Sequence, residues 1–580
     1  MKRCPACKRV EPDDALTFCR ADGTPLVSDS ASERAETGTV KFGSAPVASE
    51  VKTSVLPQTL TDADMSRPIA QTAELPAHGI SDNTHELSKP KRRKAMVGMA
   101  VVIAAALATS AYFYLSRKNR AAIESVAVLP LVNTSGDPNM EYLSDGIAES
   151  LMNSLSQLPN LKVMSRNTAF RYKGKEQDAE KVGKELNVHA VLTGSLKQVG
   201  DQIVISVSLD DALDSHHIWG AQYDRKASDL LSVQREIAKE ISANLRMKLN
   251  GTDEQKLTKT YTANPEAYQL YLKGRFYWNK RTGEALKKSI EYFNQAIEKD
   301  PSYALAYSGL ADDYVLLPNY AGGLPRETFP KAKASAKRAL ELDETLGEAH
   351  VPLAVALYRF DWSFSEAEGE FQRAIELNPN YATAHQFYGE YLAAVGHFEK
   401  GIAELKRAQE LDPLSLIINA DLGKAYFYAR RYDQAGEQLR KTMEMDQSFQ
   451  TAHFYLGMVY VMKGSFPDSI AEYQRAKQLN DDPRMLGLLG HVYAVSGQRD
   501  EALKTLDQLK ENAGQRYVSP YSFALVYAGL GDKDQAFQWL EKSRQDRTPY
   551  LSTIKVDPLL DNLRSDPRFA ELMRRVGLSE

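Results

Sequence analysis

At 580 residues, with 43% hydrophobic and 26% charged residues, the chain has the composition of several globular domains rather than one core. A net charge of −4 argues against a broad nucleic-acid-binding surface, which would show as a strong basic excess. Three cysteines, all within the first twenty residues, exclude a disulfide framework.

The first element is CPACKRVEPDDALTFCRADG. Cys4-x-x-Cys7 places two thiolates on one tight turn, and Cys19-x-x-Asp22 repeats that spacing. Two such turns facing each other make a closed tetrahedral Zn²⁺ site of the structural type. Residues 1–27 resemble a zinc ribbon of the short bacterial kind, whose second turn normally reads Cys-x-x-Cys-Gly; here Asp22 stands at the fourth position. The implied cofactor is one structural Zn²⁺ on Cys4, Cys7, Cys19 and Asp22. The alternative, in which Asp22-Gly23 is only a turn, stays open. Lys2, Arg3, Lys8, Arg9 and Arg20 are nearly balanced by Glu11, Asp13, Asp14 and Asp22, which favours a structural or protein-binding ribbon over a DNA reader.

Residues 28–94 are rich in Ser, Thr, Ala, Pro and Glu without a hydrophobic period, and read as a disordered linker. Residues 95–115, AMVGMAVVIAAALATSAYFYL, carry no charge and match the ~30 Å hydrocarbon core as one transmembrane helix in a lipid bilayer. Five basic residues precede the span (Lys89, Lys91, Arg92, Arg93, Lys94) and three follow it (Arg117, Lys118, Arg120), which places the N-terminus in the cytoplasm. The expected location is therefore a bacterial inner membrane, single pass, with the C-terminal bulk outside the cytoplasm. Cysteines confined to the N-terminal side agree with that orientation, because thiolate ligands need a reducing compartment.

Residues 124–249 alternate strand and helix. SVAVLPLV reads as a buried strand, GIAESLMNSLSQL as an amphipathic helix, and Gly200-Asp201 as the hairpin turn into the alternating QIVISVSLDDA. HHIWGAQYD is a further strand, and SDLLSVQREIAKEISANLRMKL a closing helix, giving a mixed α/β layer. The loop NTSGDP, the helix start SDGI and the W-x-x-x-Y-D-R ending resemble the TolB-like amino-terminal domain. In that family the domain lies between a cytoplasmic signalling module and a tetratricopeptide array. Asp145 reads as a helix N-cap, and His216-His217, on opposite strand faces, cannot easily share a metal.

From about residue 263 the chain repeats. Gly389, Gly423, Gly457 and Gly490 recur at spacings of 34, 34 and 33, and Tyr426, Tyr460, Tyr493 and Tyr527 recur with them. This period, with AIEKDP, AIELNP and AQELDP closing successive units, is similar to the tetratricopeptide repeat. About eight units fill 263–548, and 549–580 reads as a capping segment. The repeat geometry implies a concave surface lined by Gln386, Glu390, Lys424, Phe427, Phe454, Met458, His491 and Tyr521, suited to an apolar or peptide ligand.

The expected architecture is multidomain: zinc ribbon, one transmembrane helix, TolB-like α/β domain and all-α tetratricopeptide solenoid. The expected function is a non-enzymatic membrane scaffold or sensor that binds a protein or peptide in the groove. The sequence names no small-molecule ligand, and no nucleotide-binding, hydrolase, metalloprotease or kinase signature is present. Two alternatives are a transmembrane transcription regulator with the ribbon on DNA, and a remnant of a cyclase- or kinase-type signalling protein without its catalytic domain.

Overall fold

The computed structural model describes residues 123–578, apart from 159, 176, 177, 246 and 248, together with three two-residue strands nearer the start. The chain divides into two units, 1–100 and 101–580. In the first, β1 (Lys2–Arg3), β2 (Val10–Glu11) and β3 (Val27–Ser28) form an antiparallel sheet in the order β2-β1-β3. The ligand candidates Cys4, Cys7, Cys19 and Asp22, the linker to residue 94 and the span expected at 95–115 lie outside the described residues.

The expected single-pass inner-membrane location is corrected here. Among the described residues no helix is long and apolar enough to cross a membrane. The longest, Pro325–Leu342, has 18 residues and carries lysines, arginines and glutamates along its length, whereas a span needs about 20 predominantly apolar ones.

The α/β region holds β4 (Ser125–Val128), β5 (Val132–Asn133), β6 (Lys162–Val163), β7 (Ala190–Val199), β8 (Gln202–Asp211) and β9 (His217–Lys226). Their order is β6-β4-β7-β8-β9, with β5 also pairing β7. Pairings on the β4 side are parallel, and β7-β8-β9 is an antiparallel meander. All four residues of β4 are buried, which its unbroken apolar run requires of a strand covered on both faces. In β8, Ile203, Ile205, Val207 and Leu209 are buried while the residues between them are half-exposed, the period of a sheet with one face on the core. Gly200, at φ +60°, makes the left-handed turn that lets Val199 pair with Gln202.

Helices α1 (Glu141–Ser156), α2 (Arg166–Ala169), α3 (Ala179–Leu186), α4 (Leu230–Asn244) and α5 (Gly251–Thr258) complete this region. Asp145 is not an N-cap. It is the fifth residue of α1, buried against Lys173 Nζ at 2.6 Å, and burial pushes its carboxyl up against the pull of Lys173 and Arg166.

Sixteen helices follow among the described residues, in eight consecutive pairs. They are α6 (Pro265–Trp278), α7 (Gly283–Lys299), α8 (Ala304–Tyr320), α9 (Pro325–Leu342), α10 (Gly347–Ala356), α11 (Phe364–Leu377), α12 (Ala382–Ala394) and α13 (Phe398–Leu411). Then come α14 (Leu416–Tyr428), α15 (Tyr432–Met445), α16 (Gln450–Met462), α17 (Phe466–Leu479), α18 (Arg484–Val495), α19 (Arg499–Ala513), α20 (Pro520–Gly529) and α21 (Lys533–Gln545). Three of the four repeat glycines sit where the partner helix comes closest. A Cβ on Gly389, Gly423 or Gly457 would fall 2.7, 2.7 and 2.5 Å from Leu405, Leu439 and Tyr473. Those partners lie sixteen residues on in each repeat, so a small residue facing a large one is what the 34-residue period encodes.

After α21 the chain turns through two 3-10 helices, Pro549–Thr553 and Pro558–Leu563, into α22 (Pro567–Arg575). The first part of this segment packs on more than the last pair. It lies back against the first helices of earlier pairs: Tyr521 donates to Asp557 at 2.7 Å, Arg484 to the Tyr550 hydroxyl at 3.1 Å and Arg547 to the Phe360 carbonyl at 2.8 Å.

The α/β region and the array share one hydrophobic core, which runs from Val126 and Ile147 to Tyr271, Phe293 and Leu310. A buried ionic cluster crosses the same junction. Glu149 of α1 accepts from Arg275 Nε at 2.8 Å and from Asn279 Nδ2 at 2.8 Å, both at the α6 end, and lies 2.9 Å from Arg166 Nε.

Candidate peptide groove

The first helices of successive pairs enclose a cavity of about 680 Å³. Gln386 and Glu390 from α12 and Lys424 from α14 line it together, with Asp421, Arg359 and Tyr455. Arg359 lies in the π-helical turn Leu357–Asp361 that ends α10, a distortion that re-aims its side chain out of the helix register. The second wall comes from the α/β region. Arg166 and Arg171 of the α2 segment face the cavity, held there by contacts with the repeats. Thr168 donates to Asp412 at 2.7 Å, Asn167 donates to the same carboxylate at 2.9 Å, and Arg171 reaches the Met445 carbonyl at 3.0 Å.

Four charged groups on the floor satisfy one another. Gln386 Nε2 donates to Asp421 Oδ2 at 2.7 Å. Lys424 Nζ lies 2.9 Å from Asp421 and 2.8 Å from Glu390, which also receives Arg359 at 2.8 Å. Burial pushes the Glu390 carboxyl up, but Lys424 and Arg359 outweigh it and hold the group below the usual range. Asp421 goes the other way: burial and then the neighbouring Glu390 charge raise it. The lysine keeps its proton despite burial because two carboxylates face it. Two cations face two carboxylates on this floor, and breaking any one contact strands a buried charge, which holds it rigid.

The other expected groove residues do not line this cavity. Phe427 is fully buried, with its ring against Tyr428 and Tyr432. Met458 is buried in the core of the later repeats. His491 is buried with Nδ1 2.9 Å from the Leu525 carbonyl, and burial lowers its imidazole. Tyr521 is covered by Tyr550, stacked at 5.5 Å, and by Asp557. Phe454 is half-buried, edge-on to Tyr455 at 4.8 Å with the Arg484 guanidinium 5.7 Å from its ring centroid, and it is Tyr455 that reaches the cavity. The physical reason for Tyr521 is the returning segment 549–563, which occupies the face that a bare solenoid would present. No local signal in the sequence announces that return, nor the reach of Arg166 and Arg171 across to the repeats.

At the β8–β9 turn, Asp211, Asp214 and His216 come within 4.8 Å of one another, while His217 pairs with Asp210 at 3.1 Å. The two adjacent histidines are thus divided between different carboxylates.

Residues 420–483 match the family described as Tetratricopeptide repeat. The chain is 33% identical over 237 residues to Putative adenylate cyclase 3 of Rhizobium meliloti (strain 1021), covering 40% of each protein. It is 22% identical over 308 residues to Transcriptional regulator HilA of Salmonella typhimurium, covering 52% of this chain and 54% of that one. The chain thus spans about half the length, or less, of these curated relatives. Among solved structures it is similar to Pseudomonas aeruginosa pilF, with 22% identity, a TM-score of 0.28, and coverage of 35% of this chain and 92% of that one. The chain carries tetratricopeptide repeats, and with them the helical solenoid of a protein–protein interaction scaffold.

Proposed function

We propose that this scaffold is non-enzymatic and holds an extended segment of a partner protein in the cavity between α12, α14, α16 and the α2 segment. The observation that carries this reading is the cavity of about 680 Å³ left open on the first helices, next to a stretch of the same face covered by the chain's own residues 549–563. The mutually bonded floor of Glu390, Asp421, Lys424 and Arg359 supplies a preorganised surface, which lowers the ordering cost of binding. The test is selection of a random dodecapeptide library on the full chain, followed by photo-cross-linking of the enriched peptides. Cross-links are expected on α12, α14 and α16. Cross-links confined to the α/β sheet or to 549–580 would overturn the reading.

Within the same reading, Cys4, Cys7, Cys19 and Asp22 hold a structural Zn²⁺. The antiparallel pairing of Lys2 with Glu11 and Arg3 with Val10 supports it, because Cys4 and Cys7 fall in the connection that joins those strands. Atomic absorption of the purified chain should find one zinc, lost in Cys4→Ser and bound more weakly in Asp22→Asn. Zinc retention unchanged in Asp22→Asn would remove Asp22 from the ligand set. The 33% identity to a putative adenylate cyclase fits kinship with signalling proteins, yet it covers only 40% of that protein and carries no activity to this chain.

A further inference from the structure

We propose that the segment held in the cavity is acidic and amphipathic, with side-chain carboxylates directed to Arg171, Arg281 and the N-terminal turn of α16, and apolar side chains on Phe387, Ile417 and Phe449. This inference rests on the groove reading above and specifies its ligand.

Five cations line the cavity, Arg166, Arg171, Arg281, Arg359 and Lys424, against three carboxylates, Glu390, Asp421 and Asp446. The floor network consumes Arg359 and Lys424 with Glu390 and Asp421. Arg166 is held by Glu149 at 2.9 Å and Asp145 at 3.8 Å. That leaves Arg171, whose side chain bonds a backbone carbonyl and no carboxylate among the described residues, and Arg281, which lies 3.7 Å over the Trp278 ring, feels the buried Asp312 and Asp313 from a distance, and makes no ion pair with any described residue. The one carboxylate remaining, Asp446, already accepts from the Ser448 N–H at 2.8 Å and its hydroxyl at 2.7 Å. Those neutral donors leave its charge in place, so Arg171 and Arg281 together exceed Asp446 by one positive charge, and both keep hydrogen-bond donors to spare.

Two further features point the same way. Gln450 Nε2 is buried beside the cavity wall without a hydrogen-bond partner among the described residues, a donor whose cost an acceptor brought to that wall would relieve. Gln450 also opens α16, whose N-cap Phe449 supplies no side-chain bond, and Phe449, Gln450 and Thr451 all line the cavity, which puts the positive end of that helix's dipole at the same wall. Helix α12 likewise begins without a side-chain cap, at Tyr381, and its Thr383 and Phe387 line the cavity. Phe387, Ile417 and Phe449 are half-buried between these polar groups, so a purely ionic ligand would leave them wet.

The experiment reads the library-selected dodecapeptides for composition, then measures their affinity by fluorescence anisotropy for the wild-type chain and the Arg171→Glu/Arg281→Glu variant. Enriched peptides should carry more Asp and Glu than the starting library, and bind the double variant about tenfold more weakly at about 0.05 M salt. The gap should narrow at about 0.3 M salt, where exposed charges are screened. Enrichment without acidic bias, or equal binding to both chains, overturns the acidic ligand while cross-links on α12, α14 and α16 keep the groove. Absence of those cross-links overturns both. Should the double variant fail to fold, Arg281→Gln alone, which touches no ion pair, is expected to weaken binding about threefold, and unchanged binding there is equally decisive.

Discussion

Replacing Glu149 by alanine is expected to lower the stability of the chain by about 3 kcal/mol at neutral pH, because it leaves two buried guanidiniums facing an uncharged gap. Glu149 is 5% exposed and holds Arg275, Arg166 and Asn279 together where α1 meets α6. Burial pushes its carboxyl up, but Arg275 and then Arg166 more than offset this, and the group sits below the usual carboxylate range. A carboxyl depressed in the folded state stabilises above its unfolded pKa and loses that contribution as pH falls through the folded value. The deficit of Glu149→Ala should therefore be full at pH 7 and shrink below about pH 4, where the wild type is losing the same contribution. Arg275 keeps a weaker neighbour, Asp312 at 3.6 Å, and Arg166 keeps Asp145 at 3.8 Å, which is why the lower end of the range for broken buried pairs is expected. Urea denaturation of both chains at pH 7 and at about pH 2.5, below the unfolded carboxylate value, checks this. A deficit that stays the same at both pH values would mean that Glu149 acts through packing alone.

What the sequence made legible, and what it did not, divides by range. Gly389, Gly423 and Gly457 could be read because each faces a large residue inside its own 34-residue unit, as Gly457 faces Tyr473. The alternation of Ile203, Ile205, Val207 and Leu209 could be read because a strand writes its burial at a period of two. Gln386, Glu390 and Lys424 were found by the same local logic, since equivalent positions in adjacent repeats fall on one face. Tyr521 obeys that logic too and is nonetheless covered, because a segment that folds back from 549–563 lies over it. The cations of the second wall belong to a different part of the chain, and Thr168 meets Asp412 across 244 residues of sequence. A periodic pattern fixes which face a residue takes. It carries no information about which distant segment arrives to cover that face.

Phe293 tests how far the two parts of the chain depend on each other. Its side chain on α7 is fully buried between glycines of the neighbouring first helices. A Cβ on Gly274 would stand 2.5 Å from the ring, and one on Gly309 would stand 2.4 Å from it. Phe293→Ala is expected to cost about 4 kcal/mol, within the range for emptying a buried phenylalanine site. A cost of that size follows from the walls: glycines have no side chain to swing into the void, and closing it would require backbone movement of α6 and α8. Phe293→Leu should recover more than half of the loss, since it keeps most of the buried volume. Because Phe293 shares one core with Ile147 and Val126, the destabilisation should reach the α/β sheet as well as the first repeats. Hydrogen exchange resolved along the chain distinguishes the outcomes. Faster exchange in both α8 and β7 is expected in Phe293→Ala. Acceleration confined to α6 through α9, with β7 unchanged, would show that the continuous core is not a cooperative unit, and that the ionic cluster at Glu149 alone ties the sheet to the repeats.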